Sequence, residues 1–156
     1  MGGQKGHLMR NLSQGRAVHL LDVENLVGAA RPATGVVRTM MSRYRERVPT
    51  GGMDQYVAAV NHGAMVSVGL ALAGIQLLVR SGPHGADHAL IEVIRLDRLA
   101  DRFERVVIGS GDGTFTEFAG RLAGVGVQVV VVSRPGALNH RLRRTAGQVI
   151  PLDLAA

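Results

Sequence analysis

Short apolar runs alternate along this chain with stretches whose apolar positions recur at helical spacing. The runs Ala17 to Leu21, Gln55 to Val60, Ile75 to Val79, Val106 to Ile108 and Val127 to Val132 each predict a strand. The last is a continuous β-branched run, the mark of a strand buried on both faces. Between them the pattern predicts a helix over Val36 to Val48, ended by Pro49 and Gly51-Gly52. Asn61 is suited to cap a second helix running to about Ala73. Further helices are expected over about Ala86 to Ala100, Phe115 to Ala123 and Ala137 to Arg144, with a final strand near Val149-Ile150. Strict alternation of strand and helix predicts right-handed βαβ units on a parallel sheet, an α/β architecture. Residues 1–14 are polar and Gly-containing and read as a flexible tail, leaving 15–156 as one domain.

Composition narrows the chemistry. The chain has 156 residues, of which 46% are hydrophobic but only 3% aromatic, with no Trp. Its core must therefore be Val, Leu, Ala and Ile. The absence of Cys removes disulfides, thiolate catalysis and Cys-based zinc sites together. The start, MGGQKGHLMRNLSQG, lacks the apolar segment of a signal peptide. The uncharged segment Ala64 to Val79 is shorter than roughly 18 residues, and Gly74 divides it. It predicts a buried helix followed by a buried strand, not a membrane span, so the expected location is cytoplasmic. The net charge is +6, carried almost wholly by Arg, with Lys5 the single lysine. Guanidinium forks match phosphate, which points to a nucleic-acid partner. A merely solvated basic surface is the alternative for any one of these arginines.

Three aspartates fall where such a sheet would gather them. Asp22 ends the first strand, Asp112 follows RVVIGSG, and Asp87 opens the helical stretch after the third strand. In a parallel sheet the carboxyl ends of the strands share one edge, and ligands bind there. Clustered carboxylates repel unless a cation holds them, and their hard oxygens suit Mg²⁺ or Mn²⁺. Each acid has a plainer reading. Asp22 and Asn25 in LLDVENLVG favour turns, and Asp87 suits a helix N-cap. His84 and His88 have the i,i+4 spacing of zinc ligands but lack the Glu of H-E-x-x-H, so they read as solvated. In GSGDGTF the glycines free the backbone to approach a phosphate or to turn Asp112 toward a cation. Thr114 to Glu117 also fits the S/T-x-x-E capping box, which makes Glu117 structural.

Taken together, D-V-E-N after the first strand, G-A-D-x-A-L opening a helix, and G-S-G-D-G-x-F before another helix resemble the NYN-domain family of the PIN-like nuclease superfamily, in its short bacterial form. The resemblance spans about Arg16 to Leu152. It implies a three-layer, Rossmann-like PIN-type fold with a mainly parallel sheet of order 3-2-1-4-5 and helices on both faces. It further implies an acidic pocket at the carboxyl edge and Mg²⁺- or Mn²⁺-dependent cleavage of RNA. Asp22, Asp87 and Asp112 match the family's acids, and Asn25 matches the Asn after the first of them. Two positions depart from the pattern. Thr114 replaces the second Asp of S-G-D-x-D-F, and Val93 stands where many members carry another helical acid. Glu92 beside it points about 100° away on a helix.

The expected enzyme is thus a metal-dependent ribonuclease. Asp22, Asp87 and Asp112 hold the ion, Asn25 positions a water or the phosphate, and Ser110 and Thr114 bond to ion-bound waters. Arg80 and Arg134, on loops after the third and fifth strands, contact phosphates, with Arg141, Arg143 and Arg144 as a further basic face. Thr114 and Val93 keep a second reading open: a degenerate fold that binds RNA or protein without cleaving. A small-nucleotide phosphatase shares the same acids. No membrane partner is expected, and a homodimer is left open.

Overall fold

The computed structural model describes residues 15–80, 90 and 99–155. The expected tail, and with it Asp87, His84, His88 and Val93, lies outside the described residues. Strand β1 (Ala17–Asp22) is followed by a single helical turn, α1 (Val23–Val27), where the sequence suggested a bare turn. Helix α2 (Thr34–Arg47) leads to β2 (Gln55–Asn61). A 3-10 turn (His62–Ala64), helix α3 (Met65–Ala71) and β3 (Gln76–Arg80) come next. Leu90 is helical, and α4 (Leu99–Arg102) carries helical structure past the expected end at Ala100. Strand β4 (Arg105–Gly109), a 3-10 turn (Gly113–Phe115), α5 (Thr116–Gly124), β5 (Gln128–Ser133), α6 (His140–Thr145) and β6 (Gln148–Pro151) complete the chain.

All strand pairs are parallel, in the order β3-β2-β1-β4-β5-β6. The expected 3-2-1-4-5 core is present, and β6 extends it at the β5 side. β1 and β4 occupy the middle and are buried at every position, as strands covered on both faces must be. Side chains alternate across the sheet. Leu20, Ile108 and Val131 therefore join Leu90, Phe115, Phe118 and Leu142 in one core, under α4, α5 and α6. Leu21, Val107 and Val132 join Leu26, Met40, Tyr44 and Val68 in the other, under α1, α2 and α3. The fold is a three-layer, Rossmann-like α/β sandwich. The segment Ala64 to Val79 divides as expected: Gly74 takes φ +85 between α3 and β3. Among the described residues no helix is long and apolar enough to cross a membrane.

At the amino edge of the sheet, polar groups meet inside the second core. His19 is fully buried, with Nδ1 2.6 Å from Tyr44 Oη and Nε2 2.8 Å from Asp54 Oδ2. Asp54 also accepts the N–H groups of Ala17 and Gly51, at 3.1 and 2.9 Å. Arg105 Nη2 stands 3.6 Å from the same carboxylate, and its Nη1 donates to the Pro49 carbonyl at 2.9 Å. The Tyr56 ring stacks on His19 at 4.4 Å.

Candidate functional site at the carboxyl edge

The alternation that sends Leu20 into the first core sends Asp22 to the same face, at the last position of β1. Ser110, one residue past β4, lies on that face as well and is fully buried. Its hydroxyl donates to Asp22 Oδ2 at 3.0 Å and accepts the Asp112 N–H at 3.1 Å. One side chain thus ties the ends of two neighbouring strands and fixes both acids relative to each other. The sequence suggested Ser110 for ion-bound water; its burial assigns the hydroxyl to the acids themselves.

Asp112 turns outward at φ −70 and caps the 3-10 turn that follows. Its Oδ1 accepts the Thr114 N–H at 2.9 Å and the Thr114 hydroxyl at 2.6 Å. This geometry replaces the expected Thr114–Glu117 capping box. Thr114 sits inside the 3-10 turn rather than at the start of α5, so Glu117 cannot reach back to it. Glu117 instead pairs with Arg121 one helical turn on, at 2.7 Å.

The turn itself is held from two sides. Asn25, on α1, accepts the Gly111 N–H through Oδ1 at 2.9 Å, and the Gly111 carbonyl accepts the Asn139 N–H at 2.9 Å. Gly111 has no room for a side chain: a Cβ there would run into the Ala137 carbonyl and lie 2.5 Å from Ser133 Oγ. The glycine is required by close approach. Asn139 is also the N-cap of α6, accepting Arg141 N–H and Leu142 N–H at 2.9 and 3.4 Å.

Glu24, on the helical turn α1, also belongs to this edge. Glu24 Oε1 accepts the Asn61 N–H at 2.6 Å, bridging α1 to the end of β2. Burial raises the Glu24 pKa; the nearby Asp22 charge adds to the rise and the Asn61 N–H opposes it. Asn61 does not cap a helix with its side chain, and its buried Oδ1 has no hydrogen-bond partner among the described residues. The sequence signal for this pair was faint: an acid and an amide, each at a strand end.

Arg134, just past β5, donates from Nε to the Asn25 carbonyl at 2.7 Å. Its guanidinium lies over Gly28, where a Cβ would be 2.7 Å from Cζ. Gly28 closes α1 at φ +82, a conformation that glycine adopts without steric cost. Asp22, Asn25, Ser110, Asp112, Thr114 and Arg134 therefore share one edge. Arg80 ends β3 at the sheet's outer border, two strands from Asp22. Arg141, Arg143 and Arg144 are exposed on α6, which begins beside the Gly111 turn. Asp87 lies outside the described residues, and among those described no three His, Asp or Glu side chains form a metal-sized group. The donor set is nonetheless one of hard oxygens, the kind that Mg²⁺ and Mn²⁺ take.

No family model matches the chain, and no curated protein matches it. A crystal structure of a protein of unknown function from Vibrio parahaemolyticus is similar in fold. It is 17% identical, with a TM-score of 0.57 over 89% of this chain and 93% of that one. That likeness concerns the fold alone.

Proposed function

We propose that the carboxyl edge is the active site of a divalent-metal-dependent ribonuclease. One observation carries this reading. Acids on two adjacent strand ends, Asp22 and Asp112, are locked together through the buried Ser110 hydroxyl, with Glu24 close enough to feel the Asp22 charge. Holding like charges together is costly without a cation. Asp22 and Asp112, with Asp87 as the third acid, would hold Mg²⁺ or Mn²⁺. Such an ion, when bound, activates a water and offsets charge on the scissile phosphate. The chain's own residues set the geometry. Ser110 fixes Asp22, Thr114 fixes Asp112, and Asn25 fixes the Gly111 turn between them. Arg134 holds a guanidinium at the same edge, where it suits a phosphate oxygen. The D-V-E-N, G-A-D-x-A-L and G-S-G-D-G-x-F motifs support the reading through their resemblance to the NYN-domain family. RNA as substrate rests on that resemblance as well.

A second reading, an RNA-binding module without turnover, is favoured by Thr114. Where the resembled family has a second acid, this residue spends its hydroxyl on Asp112. Single-stranded RNA incubated with the full chain and Mn²⁺ separates the two. The nuclease reading expects cleavage that chelator stops and that Asp112→Asn lowers about a hundredfold or more. RNA bound but left intact by the wild type selects the binding module.

A further inference from the structure

A cavity of about 370 Å³ opens next to the Gly111 turn, between the loop after β5 and the start of α6. Leu138, Val149, Pro151 and Gly136 give it apolar walls, and Arg134 and Arg143 are the charged residues that line it. Among the described residues no acidic one lines it. Its place relative to the acids follows from the sheet. Val129, Val131 and Val149 share a core with Leu20 and Ile108, so the pocket's strand residues lie on the face that carries Asp22 and Ser110. The link to the turn is direct: Ser133, which lines the pocket, and Ala137, between the lining residues Gly136 and Leu138, are the groups that leave Gly111 no room for a Cβ. Asn139 then ties the same loop to the Gly111 carbonyl.

The two arginines are differently prepared. Arg134 is oriented by its Nε bond to Asn25, which leaves the Nη groups without a partner among the described residues. Arg143 is exposed on α6, and among the described residues no ion pair holds it. Apolar walls beside guanidinium groups that no ion pair holds among the described residues match a nucleobase carried next to a phosphate. The volume suits one nucleotide and is small for a folded partner.

We propose that this cavity is a nucleotide subsite. It takes one base, with the phosphate beside it, of a single-stranded nucleic acid whose neighbouring phosphodiester lies at the Ser110–Gly113 turn. The inference rests on the nuclease reading for the role of that neighbouring phosphodiester. The subsite itself needs only the pocket and its charge.

The test uses the full chain, a labelled ten-nucleotide oligouridylate, the same oligomer with one abasic position, and uridine monophosphate. Binding is measured in chelator, so that cleavage does not interfere. Arg143→Glu removes the pocket charge. Arg47→Glu, exposed near the opposite edge of the sheet, makes the same change in net charge away from it. The subsite expects Arg143→Glu to weaken oligomer binding about tenfold more than Arg47→Glu does. It also expects abasic oligomers to bind more weakly in the wild type, with that difference lost in Arg143→Glu. Equal weakening by both variants overturns it, since diffuse charge would then explain binding. So does inorganic phosphate that competes as well as uridine monophosphate, because the walls would then read no base. Uridine monophosphate binding as tightly as the oligomer assigns the pocket to free nucleotides and overturns the strand path. Cleavage assayed in parallel keeps the two proposals apart. A wild type that never cleaves but shows the Arg143 effect loses the nuclease reading and keeps the subsite. Cleavage with no Arg143 effect does the reverse.

Discussion

The two edges of this sheet handle buried polar groups in opposite ways. At the amino edge the groups pair largely with one another, although the buried Arg105 Nε has no hydrogen-bond partner among the described residues. Asp54 accepts from His19, Ala17 and Gly51 and faces Arg105, while His19 spends its second nitrogen on Tyr44. The partners fix the protons: Asp54 is an acceptor, so Nε2 of His19 carries the hydrogen, and Nδ1 accepts from the Tyr44 hydroxyl. At the carboxyl edge the acids are held by short polar groups of the neighbouring turns. Hydroxyls and backbone N–H groups orient the carboxylates of Asp22, Asp112 and Glu24 there. The first arrangement closes on itself and stabilises the fold. The second gathers hard carboxylate oxygens at the carboxyl edge, an arrangement that suits a cation.

Breaking the closed edge has the largest expected effect on stability. Asp54→Ala leaves His19 Nε2 and two backbone N–H groups without their acceptor, and Arg105 without its ion-pair partner. A cost of about 3–5 kcal/mol in urea unfolding is expected. A loss under about 1 kcal/mol would mean that the amino edge is no lock. Gly111→Ala comes next, because the new methyl meets backbone that cannot swing aside. We expect about 1–3 kcal/mol, together with loss of whatever activity the Asp112 turn supports. Unchanged stability and cleavage would show that the turn is looser than its contacts indicate.

Acid titration probes the closed edge more gently. Burial is the main cause that lowers the His19 pKa, with Arg105 adding to it, while the Asp54 hydrogen bond and charge oppose. The Tyr44 and Tyr56 side chains face it as well, and both are pushed up, mainly by burial. The folded state therefore resists a proton that the unfolded state accepts. Stability should fall as pH drops below about 6.5, by at most about 1.4 kcal/mol per pH unit for one proton. Burial opposes ionisation of Asp54, but hydrogen bonds from His19, Gly51 and Ala17 prevail and lower its pKa. Its contribution is therefore lost only at still lower pH. His19→Asn should flatten the slope between about pH 6.5 and 5. An identical slope in the variant would place the titration elsewhere.

The smallest effect on the fold is expected at the open edge. Asp112→Asn keeps an oxygen for both Thr114 hydrogen bonds, so stability should change by less than about 1 kcal/mol. Mn²⁺ should raise the melting temperature of the wild type and do so much less for this variant. Equal shifts in both proteins would mean that the ion acts elsewhere.

Much of this was legible in the chain. Continuous apolar runs marked the strands, because a strand covered on both faces cannot tolerate polar positions. The grouping of Asp22 and Asp112 followed from strand ends alone. Other features were not legible. The turn α1 is too short to show periodicity, so nothing in the pattern set the direction of Glu24. Nothing local singled out His19, because Tyr44 and Asp54, its partners, are 25 and 35 residues away. The Thr114–Glu117 box failed because Asp112, not Thr114, took the capping position.

By itself the sequence determined the element order, the parallel sheet and the edge where its acids gather, since these follow from local periodicity and from the handedness of βαβ units. Only the tertiary structure decided which polar groups face each other. It made Ser110 the bridge between Asp22 and Asp112, set Arg134 on Asn25, and opened a pocket beside Gly111. Those pairings join residues far apart in sequence, and packing, not propensity, brings them within hydrogen-bond distance.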